Sequence, residues 1–341
     1  MEQTVVQPPQ VATGPGYSLP YSLYLHSLSW VLRKVVTLNT GSGALFDKTL
    51  TVTTPGLGEG HVRVSVCLPK GFDDSRTRMP FLLVAEGGGF ILGQPSDGEH
   101  IDRRLSDRVG AVVVSVDYAK SPRYPYPHAL LQLHEVLCWA CGRGAVETLG
   151  VAIDPSRVAI MGNSAGGNLT AALTLLLSFT SGPCAGFRKA LPNNFRQSAQ
   201  VFIYPSTSCG RPYRDRFTDS EPEVQAESLP VWVAGMMEAA YLPPYIDKEQ
   251  IFISPLETPV GLLESLRPPP TLCLTAGKDC LKFEAQAYTK KLREAGVEVT
   301  EHEYPGVVHG FSHYKGKYFE EVEDCWRRVE EFLLTQFSRF R

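Results

Sequence analysis

From Pro80 onwards, short apolar runs alternate with longer segments that have the spacing of helices. Runs this short and rich in Val, Ile and Leu are typical of strands buried on both faces of a sheet. The runs are FLLVAE, AVVVSVDY, RVAIMG, QVFIYP, TLCLTAG and VTEHEYP. The main helical stretches are 128–145, 165–179, 284–295 and 317–338. This alternation predicts an α/β fold with a mainly parallel central sheet and helices on both faces.

The segments before this alternation predict additional elements. Residues 48–68 alternate well enough to predict a β-hairpin broken at PGLGEG. The preceding stretch YSLPYSLYLHSLSWVLRKVV has apolar residues at mixed helical spacing and predicts one or two short helices. Residues 1–16 are rich in Pro, Gly and Gln, so we expect this end of the chain to be poorly ordered.

The interval between QVFIYP and TLCLTAG is too long for a simple crossover between parallel strands, at roughly 60 residues. We expect it to contain an insertion over one end of the sheet. The predicted organisation is an N-terminal cap segment (1–45), an α/β core in two parts (46–207 and 251–341) and a cap insertion (208–250).

The most specific pattern is RVAIMGNSAGGNLTAAL, in which a buried strand runs into Gly162-Asn163-Ser164-Ala165-Gly166 and a helix follows at once. This is G-x-S-x-G in the strand–turn–helix context that a nucleophilic serine requires. The tight turn crowds the serine backbone, and glycines two residues before and after relieve the crowding. The turn also sets the hydroxyl over a helix N-terminus, which favours developing negative charge. We predict Ser164 as a nucleophile, with a glycine-rich turn and an incidental serine as the alternative.

A serine hydroxyl is a weak nucleophile and needs a base, which an acid orients. Where such a turn occurs, the acid and then the histidine follow the serine along the chain. Asp279 follows the run TLCLTAG and His309 follows VTEHEYP, so both fall at the carboxyl ends of predicted strands, where ligands bind in parallel sheets. We predict that His309 takes the Ser164 proton and returns it to the leaving group, and that Asp279 orients His309.

Three neighbouring residues compete for these roles. His302 lies inside the last predicted strand, and His313 lies beyond the Gly-Phe that follows His309. Glu284 competes with Asp279 for the acid, although its position predicts the start of the next helix. Each assignment alone is weak, and it is the combined order and placement of nucleophile, acid and base that favours the set named above.

Three consecutive glycines follow the first central strand, in FLLVAEGGGFILG. Glycines let the backbone approach a substrate closely and aim its N–H groups at a carbonyl oxygen. We predict the N–H groups of Gly88, Gly89 and Ala165 as the donors of an oxyanion hole, with a flexible turn as the alternative.

Together these segments resemble the hormone-sensitive-lipase-like branch of the α/β-hydrolases, a carboxylesterase group marked by HGGG and GDSAGG. The likeness runs from Pro80 to Phe311. The matching segments are EGGGF (86–90), DYAKSPRYPYPHAL (117–130), DPSRVAIMGNSAGGNL (154–169), SPL (254–256), GKDCLKFE (277–284) and VVHGF (307–311). The resemblance implies the α/β-hydrolase fold, cleavage of a carboxylic ester, and a mainly helical cap formed by the N-terminal region and the insertion. It also implies the same three catalytic residues and the same oxyanion-hole donors.

One position departs from the family motif, since Glu86 stands where the family has a histidine before the glycines. That histidine is expected to hold the loop by donating hydrogen bonds to backbone, whereas an ionised glutamate only accepts them. The charge of Glu86 would also oppose a developing oxyanion. Three interpretations stay open: Glu86 points away and accepts from backbone N–H groups, it is protonated in an apolar pocket, or it is an additional acid or base.

The insertion segment LPVWVAGMMEAAYLPPY carries Met and aromatic residues at near-helical spacing. Packing of a cap helix on the core explains most of them, but a helix over an active site also lines it, and such side chains suit bulky apolar ligands. The predicted substrate-binding residues are Glu86, Phe90, Trp232, Met236 and Tyr241. Candidates for the opposite wall are Tyr21, Tyr24, Leu25 and Trp30. We expect a medium-sized, largely apolar ester or lactone as substrate.

Composition narrows the function further. The 341 residues carry a formal net charge of -3 with no basic excess, so nucleic acid is not an expected partner. No stretch is long and apolar enough to predict a membrane span. The CxxC at Cys138 and Cys141 lacks a second Cys or His pair at zinc-site spacing, so neither a metal nor another cofactor is expected. Without a secretory signal pattern, we expect a cytoplasmic protein with reduced thiols, monomeric or homodimeric, in secondary metabolism or detoxification.

Three classes of function fit these observations. The preferred class is a serine hydrolase that cleaves an ester through an acyl-enzyme. The second is a non-hydrolytic enzyme on the same fold (an acyltransferase, lyase or cyclase), which Glu86 and the apolar cap motivate. The third is a small-molecule-binding, receptor-like protein. The intact set of nucleophile, base and acid argues against the third class, since a receptor has no need of a base.

Overall fold

The computed structural model of the protein describes residues 5–38, 40–71 and 78–339. In this part of the chain, the short apolar runs form the strands of one central sheet. The strands are β1 (Lys48–Thr53), β2 (His61–Cys67), β3 (Met79–Ala85), β4 (Val112–Asp117), β5 (Ile153–Asn163), β6 (Gln197–Ile203), β7 (Thr271–Lys278) and β8 (Val299–Val308). They lie in the order β1-β2-β4-β3-β5-β6-β7-β8. The strands from β3 to β8 are parallel, whereas β2 is antiparallel to both β1 and β4.

Helices cover both faces of the sheet and one end of it. The α-helices are α1 (Leu19–Thr37), α2 (Glu99–Val109), α3 (His128–Cys141), α4 (Gly144–Leu149), α5 (Ala165–Ser178), α6 (Ala185–Lys189), α7 (Tyr213–Thr218), α8 (Pro222–Glu227), α9 (Val231–Tyr241), α10 (Val260–Leu266), α11 (Lys282–Glu294) and α12 (Phe319–Ser338). α3, α5 and α11 pack on one face, and α2 and α12 pack on the other. The predicted fold class is confirmed. Among the described residues, none of the helices has the length and apolar character needed to cross a membrane.

Strand β3 shows why such short apolar runs become central strands. Phe81, Leu83 and Ala85 belong to the core on the α5 side, and Leu82 and Val84 belong to the core on the α12 side. Each of the five is at most 2% exposed. Successive side chains of a strand point to opposite faces, so a strand between two helical layers needs an apolar residue at every position.

The N-terminal part differs in detail from its prediction. β1 and β2 form the predicted hairpin, and the one or two expected short helices are the single helix α1. Residues 5–16 form no helix or strand, yet Pro9 is buried and Val6 packs against the core, where its carbonyl accepts from the Cys184 thiol. These contacts hold residues 5–16 against the core, whereas the sequence predicts a poorly ordered segment. Residues 1–4 lie outside the described residues.

Helices α7, α8 and α9 lie in the insertion and meet the core through a buried ion triad. Arg216 of α7 contacts the Glu238 carboxylate of α9 through Nη2. Nη1 of Arg216 lies 2.6 Å from the Glu284 carboxylate of α11. Glu284 also accepts the Thr207 N–H at 2.7 Å. Charged groups that leave water need partners of this kind, so the triad sets the position of the cap on the core.

The N-terminal helix α1 packs beside α9 above the loop that follows β3. Leu25 of α1 is buried together with Ile91 of the loop and with Met236 and Ala240 of α9. Arg33 of α1 donates to the Ile91 carbonyl at 2.6 Å. The N-terminal segment and the insertion therefore supply neighbouring helices over the same loop.

Candidate active site

Ser164 stands at the sharp turn between β5 and α5. Its backbone has φ 53° and ψ −120°, a strained conformation for a residue with a side chain. The turn leaves no room beside the serine: a Cβ at Gly162 would lie 2.2 Å from the Gly166 carbonyl oxygen, and one at Gly166 would lie 1.9 Å from the Ala85 carbonyl oxygen. Close packing therefore requires both glycines of the motif and places the serine at the N-terminus of α5.

The side chains of Ser164, His309 and Asp279 form one continuous chain of hydrogen bonds. Ser164 Oγ lies 2.8 Å from His309 Nε2, and His309 Nδ1 lies 2.6 Å from Asp279 Oδ2. The second Asp279 oxygen accepts the Leu281 N–H at 3.0 Å, which holds the carboxylate in its own loop. The three residues follow β5, β8 and β7 at the carboxyl edge of the sheet. The structure brings together the residues that the sequence predicts as nucleophile, base and acid.

Burial and charge act in opposite directions on His309. Burial lowers the pKa of a histidine because it disfavours the charged form. The charge of Asp279 and its hydrogen bond more than offset the burial, so the pKa of His309 is raised above its ordinary value. Asp279 is itself only 2% exposed, so water competes little for its oxygens. This environment stabilises an imidazolium after proton transfer from a serine.

The glycine loop after β3 is tied to the turn that carries the serine. The Gly87 N–H donates to the Asn163 side chain at 2.9 Å. Gly88 has φ 123°, a conformation that favours glycine. Within the described part of the chain, no group accepts a hydrogen bond from the N–H of Gly88, Gly89 or Ala165. These three amides are available to an acceptor on a ligand, as an oxyanion hole requires.

Glu86 is buried and faces a histidine instead of the substrate side of the loop. Its Oε2 lies 3.2 Å from His313 Nε2, and its backbone carbonyl accepts the Tyr118 hydroxyl at 2.7 Å. No backbone N–H of the described residues donates to its carboxylate. The expectation that Glu86 bonds backbone amides is therefore wrong. The side chain turns into the protein towards His313, and contact of Glu86 with substrate stays a prediction.

The three competing residues each have other partners. His302 packs edge-on against Tyr304 within β8, with ring centroids 4.5 Å apart. His313 faces Glu86. Glu284 is engaged in the ion triad at the base of the cap. None of the three contacts the serine hydroxyl.

One face of α9 covers the glycine loop. Met237 packs so closely on Gly89 that a Cβ there would lie 2.2 Å from the Met237 Sδ. One turn later, Tyr241 stacks on Phe90 with ring centroids 3.6 Å apart and 2° between the planes. Tyr126 meets Tyr241 edge-on at 6.0 Å. The predicted residues Phe90 and Tyr241 therefore belong to an apolar layer beside the glycine loop.

A second face of α9 packs against α1 and against Ile91 of the loop. Trp232 is 61% exposed, and Met236, four residues on, is buried against α1. Both line a surface groove of about 770 Å³ together with Tyr21 and Tyr24, two residues expected at the opposite wall of the site. The residue that follows Met236 along the helix, Met237, lies over Gly89. Contact of Trp232 and Met236 with substrate stays a prediction.

Three contacts of the site are not visible in residue spacing. Asn163 occupies the variable position of G-x-S-x-G, and nothing local indicates that its side chain reaches Gly87. Met237 differs from Met236 only in its rotation around the helix. In the sequence His313 is one of the competing candidates for the base, and its pairing with a residue of another loop depends on the fold.

Comparison with known proteins relates this arrangement to one family. Residues 82–313 match the family model described as "alpha/beta hydrolase fold". The chain belongs to the α/β-hydrolase family. This α/β-hydrolase is 31% identical over 243 residues to an arylesterase of Saccharolobus solfataricus, with 69% of each chain covered. It is also 31% identical over 263 residues to an ethyl acetate hydrolase of Pseudomonas putida, with 76% of this chain and 74% of the relative covered.

Solved structures give the same assignment. The α/β-hydrolase resembles EstE1, a thermophilic carboxylesterase cloned from a metagenomic library, with a TM-score of 0.70 and 27% identity over 91% of this chain and 97% of the other. It resembles an esterase of Pyrobaculum calidifontis with a TM-score of 0.68 and 26% identity over 93% of this chain and 92% of the other. The predicted family and the prediction of a carboxylesterase-type hydrolase are confirmed.

Proposed function

We propose that this α/β-hydrolase cleaves a carboxylic ester or lactone of a medium-sized, largely apolar small molecule, with Ser164 as nucleophile, His309 as base and Asp279 as orienting acid. The observation that carries the proposal is the hydrogen-bonded chain from Asp279 through His309 to Ser164, with bonds of 2.6 and 2.8 Å. A serine hydroxyl needs such a base to attack an ester. The strained turn under Ser164 supports the same role, since strain of this kind is concentrated at functional sites.

The first half of the proposed reaction acylates the enzyme. Ser164 Oγ attacks the ester carbonyl carbon while His309 Nε2 takes the hydroxyl proton. The carbonyl oxygen becomes an oxyanion, which the N–H groups of Gly88, Gly89 and Ala165 stabilise together with the N-terminus of α5. The ester C–O bond then breaks as His309 gives its proton to the leaving alcohol oxygen.

The second half releases the acid. A water molecule attacks the acyl carbon while His309 takes one of its protons, and a second tetrahedral intermediate forms in the same oxyanion hole. When this intermediate collapses, Ser164 Oγ leaves and regains its proton from His309. Asp279 keeps its hydrogen bond with His309 Nδ1 and stabilises the imidazolium in both halves.

The preference for an apolar substrate rests on the cap. Met237, Phe90 and Tyr241 present thioether and aromatic surface beside the glycine loop, and such groups suit apolar ligands. The names of two relatives, an arylesterase and an ethyl acetate hydrolase, support an ester as substrate. With its carboxylate paired to His313, Glu86 gives no support to a transferase, lyase or cyclase. The cytoplasmic location and a role in secondary metabolism stay predictions.

The test compares the wild type with Ser164→Ala on a series of p-nitrophenyl acyl esters. Loss of the nucleophile is expected to lower kcat about a thousandfold or more. A fluorophosphonate is expected to label Ser164 of the wild type and to abolish turnover. Ser178→Ala, at the far end of the same helix, is the matched control and is expected to keep the wild-type rate.

Three results would contradict the proposal. Retention of the ester hydrolysis rate by Ser164→Ala, or labelling at another residue, would show that the nucleophile is misassigned. Labelling at Ser164 without hydrolysis of any ester would show an activated serine whose acyl group does not pass to water.

A further inference from the structure

A buried ion pair joins the two loops that carry the proposed oxyanion hole and the proposed base. Glu86 opens the glycine loop after β3, whereas His313 ends the short 3₁₀ turn Phe311–His313 that follows His309. Their side chains are 6% and 20% exposed, and Glu86 Oε2 lies 3.2 Å from His313 Nε2. A shift of either loop would therefore break a contact that is shielded from water.

The other ring nitrogen of His313 leads back to the proposed base. His313 Nδ1 lies 3.0 Å from Ser312 Oγ and 3.2 Å from the Tyr204 hydroxyl. These two hydroxyl oxygens are 2.5 Å apart, and the Tyr204 ring packs on the His309 ring with centroids 4.8 Å apart. His313 therefore has contacts on one side with the glycine loop and on the other with the residues that support His309.

The charges around Glu86 identify His313 as its counter-ion. Asp97 and Asp102 lie in the same cluster, and burial raises the pKa of both, with the charge of Glu86 as a further cause. For Asp102 the pKa lies well above its ordinary value, which favours the neutral form. Burial lowers the pKa of His313, but the negative charge of Glu86 more than offsets it, so the pKa is raised. For His100, also nearby, burial and then the charge of His313 lower the pKa, which favours its neutral form.

We propose that Glu86 and His313 are a positioning pair, which fixes the glycine loop relative to the loop of His309 and cancels the charge of a carboxylate two residues before Gly88. The inference rests on the proposed function, because it concerns the stability of the oxyanion. An unpaired carboxylate in this place would repel the negative charge that forms at the adjacent amides. When His313 is its cationic partner, the Glu86 carboxylate fixes the glycine loop without repelling the oxyanion.

The test uses two variants and their combination, all in the full chain. His313→Gln keeps a polar side chain but leaves the Glu86 carboxylate without a cationic partner, and we expect kcat for a p-nitrophenyl ester to fall about tenfold or more with KM nearly unchanged. Adding Glu86→Gln removes the uncompensated charge, so the double variant is expected to recover most of the lost kcat. His302→Gln, which changes a histidine of β8 outside this network, is the matched control and is expected to leave kcat unchanged.

Recovery in the double variant separates a charge effect from a merely structural one. If kcat of His313→Gln stays within about twofold of the wild type, or if the double variant is worse than the single one, the pair does not act as proposed. If His313→Gln does not fold, Glu86→Asp replaces it. That variant keeps the charge but withdraws the carboxylate from His313, and an unchanged kcat would overturn the inference.

Labelling of Ser164 distinguishes failure of this inference from failure of the proposed function. A wild type that neither reacts with a fluorophosphonate nor hydrolyses esters overturns both. A labelled and active wild type whose pair variants keep the full kcat overturns only the positioning pair.

Discussion

At the scale of single residues, the reactivity of His309 depends on one neighbour. Burial would favour the neutral ring, whereas the Asp279 carboxylate at 2.6 Å favours the imidazolium, and the second effect prevails. A general base works only in its neutral form. Because its pKa is raised, His309 stays protonated up to a higher pH than an ordinary histidine, and activity is expected to be lost as the pH falls through that raised pKa.

The variant Asp279→Asn tests this dependence. The amide has nearly the same size but lacks the charge that raises the pKa of His309, so the acidic limb of kcat/KM against pH is expected to move to lower pH. The rate itself is expected to fall about a thousandfold or more, since the imidazolium loses its stabilising partner. Pre-steady-state and steady-state hydrolysis of a p-nitrophenyl ester across the pH range measures both effects.

The control is Asp247→Asn, which changes an exposed carboxylate of the loop after α9. Its rate and pH profile are expected to match those of the wild type. An acidic limb at the same pH in Asp279→Asn and the wild type would show that Asp279 does not govern the protonation of His309.

At the scale of elements, the rotation of α9 decides which side chains meet the glycine loop. Met237 and Tyr241 are one turn apart and contact Gly89 and Phe90. Met236 is adjacent in sequence to Met237 but is buried against α1. The two neighbouring methionines therefore share their chemistry but differ in what they contact.

Met237→Ala is expected to change which esters react. Removal of the thioether from above Gly89 opens space beside the loop, so kcat/KM for p-nitrophenyl octanoate relative to the acetate is expected to rise about tenfold. Met236→Ala removes the same side chain from the α1–α9 contact instead. That variant is expected to lower the free energy of unfolding by about 2 kcal/mol or more without changing the ratio.

Acyl-chain-length profiles and thermal melts of the two methionine variants provide the comparison. Equal shifts of the ratio in both variants, or a shift only in Met236→Ala, would show that α9 presents a different face to the substrate.

At the scale of the whole molecule, the cap is held on the core by charges as well as by apolar packing. Arg216 lies between the carboxylates of Glu238 and Glu284, with only 7% of its side chain exposed. Their charges outweigh the effect of burial, so the pKa of Arg216 is raised and the guanidinium stays charged. Glu284 also accepts a hydrogen bond from the Thr207 N–H, and this bond connects the triad to the loop after β6.

Arg216→Met is expected to destabilise the protein. The change leaves two buried carboxylates facing each other without a cation, and breaking a buried pair in this way costs about 3 kcal/mol or more. The apparent melting temperature is expected to fall by about 5 °C or more. Arg214→Met, an exposed position on the same helix, is the control and is expected to melt like the wild type. An equal melting temperature for both variants would show that the triad does not stabilise the cap.

Local patterns in the sequence were sufficient for the fold and for the choice of the three candidate catalytic residues, which the structure brings together. The central strands β3, β4 and β7 are buried over nearly all of their residues, so each is a mainly apolar run, and this signal needs no tertiary contact to be seen. The turn at Ser164 requires glycines at Gly162 and Gly166 within a few residues of the serine. Asp279 and His309 lie directly after strands, so the parallel order of the sheet predicts that they converge.

Only the tertiary structure decided which side chains from distant segments meet. The pairing of Glu86 with His313, and that of Arg216 with Glu284, join residues whose separation in the chain carries no periodic signal. Which of the two methionines lies over Gly89 depends on how the whole cap packs on the core. A rotation of α9 by one residue would put Met236 there instead of Met237. Spacing along the chain determines secondary structure and motif order, whereas the partner of a buried charge is set by the packing of the elements around it.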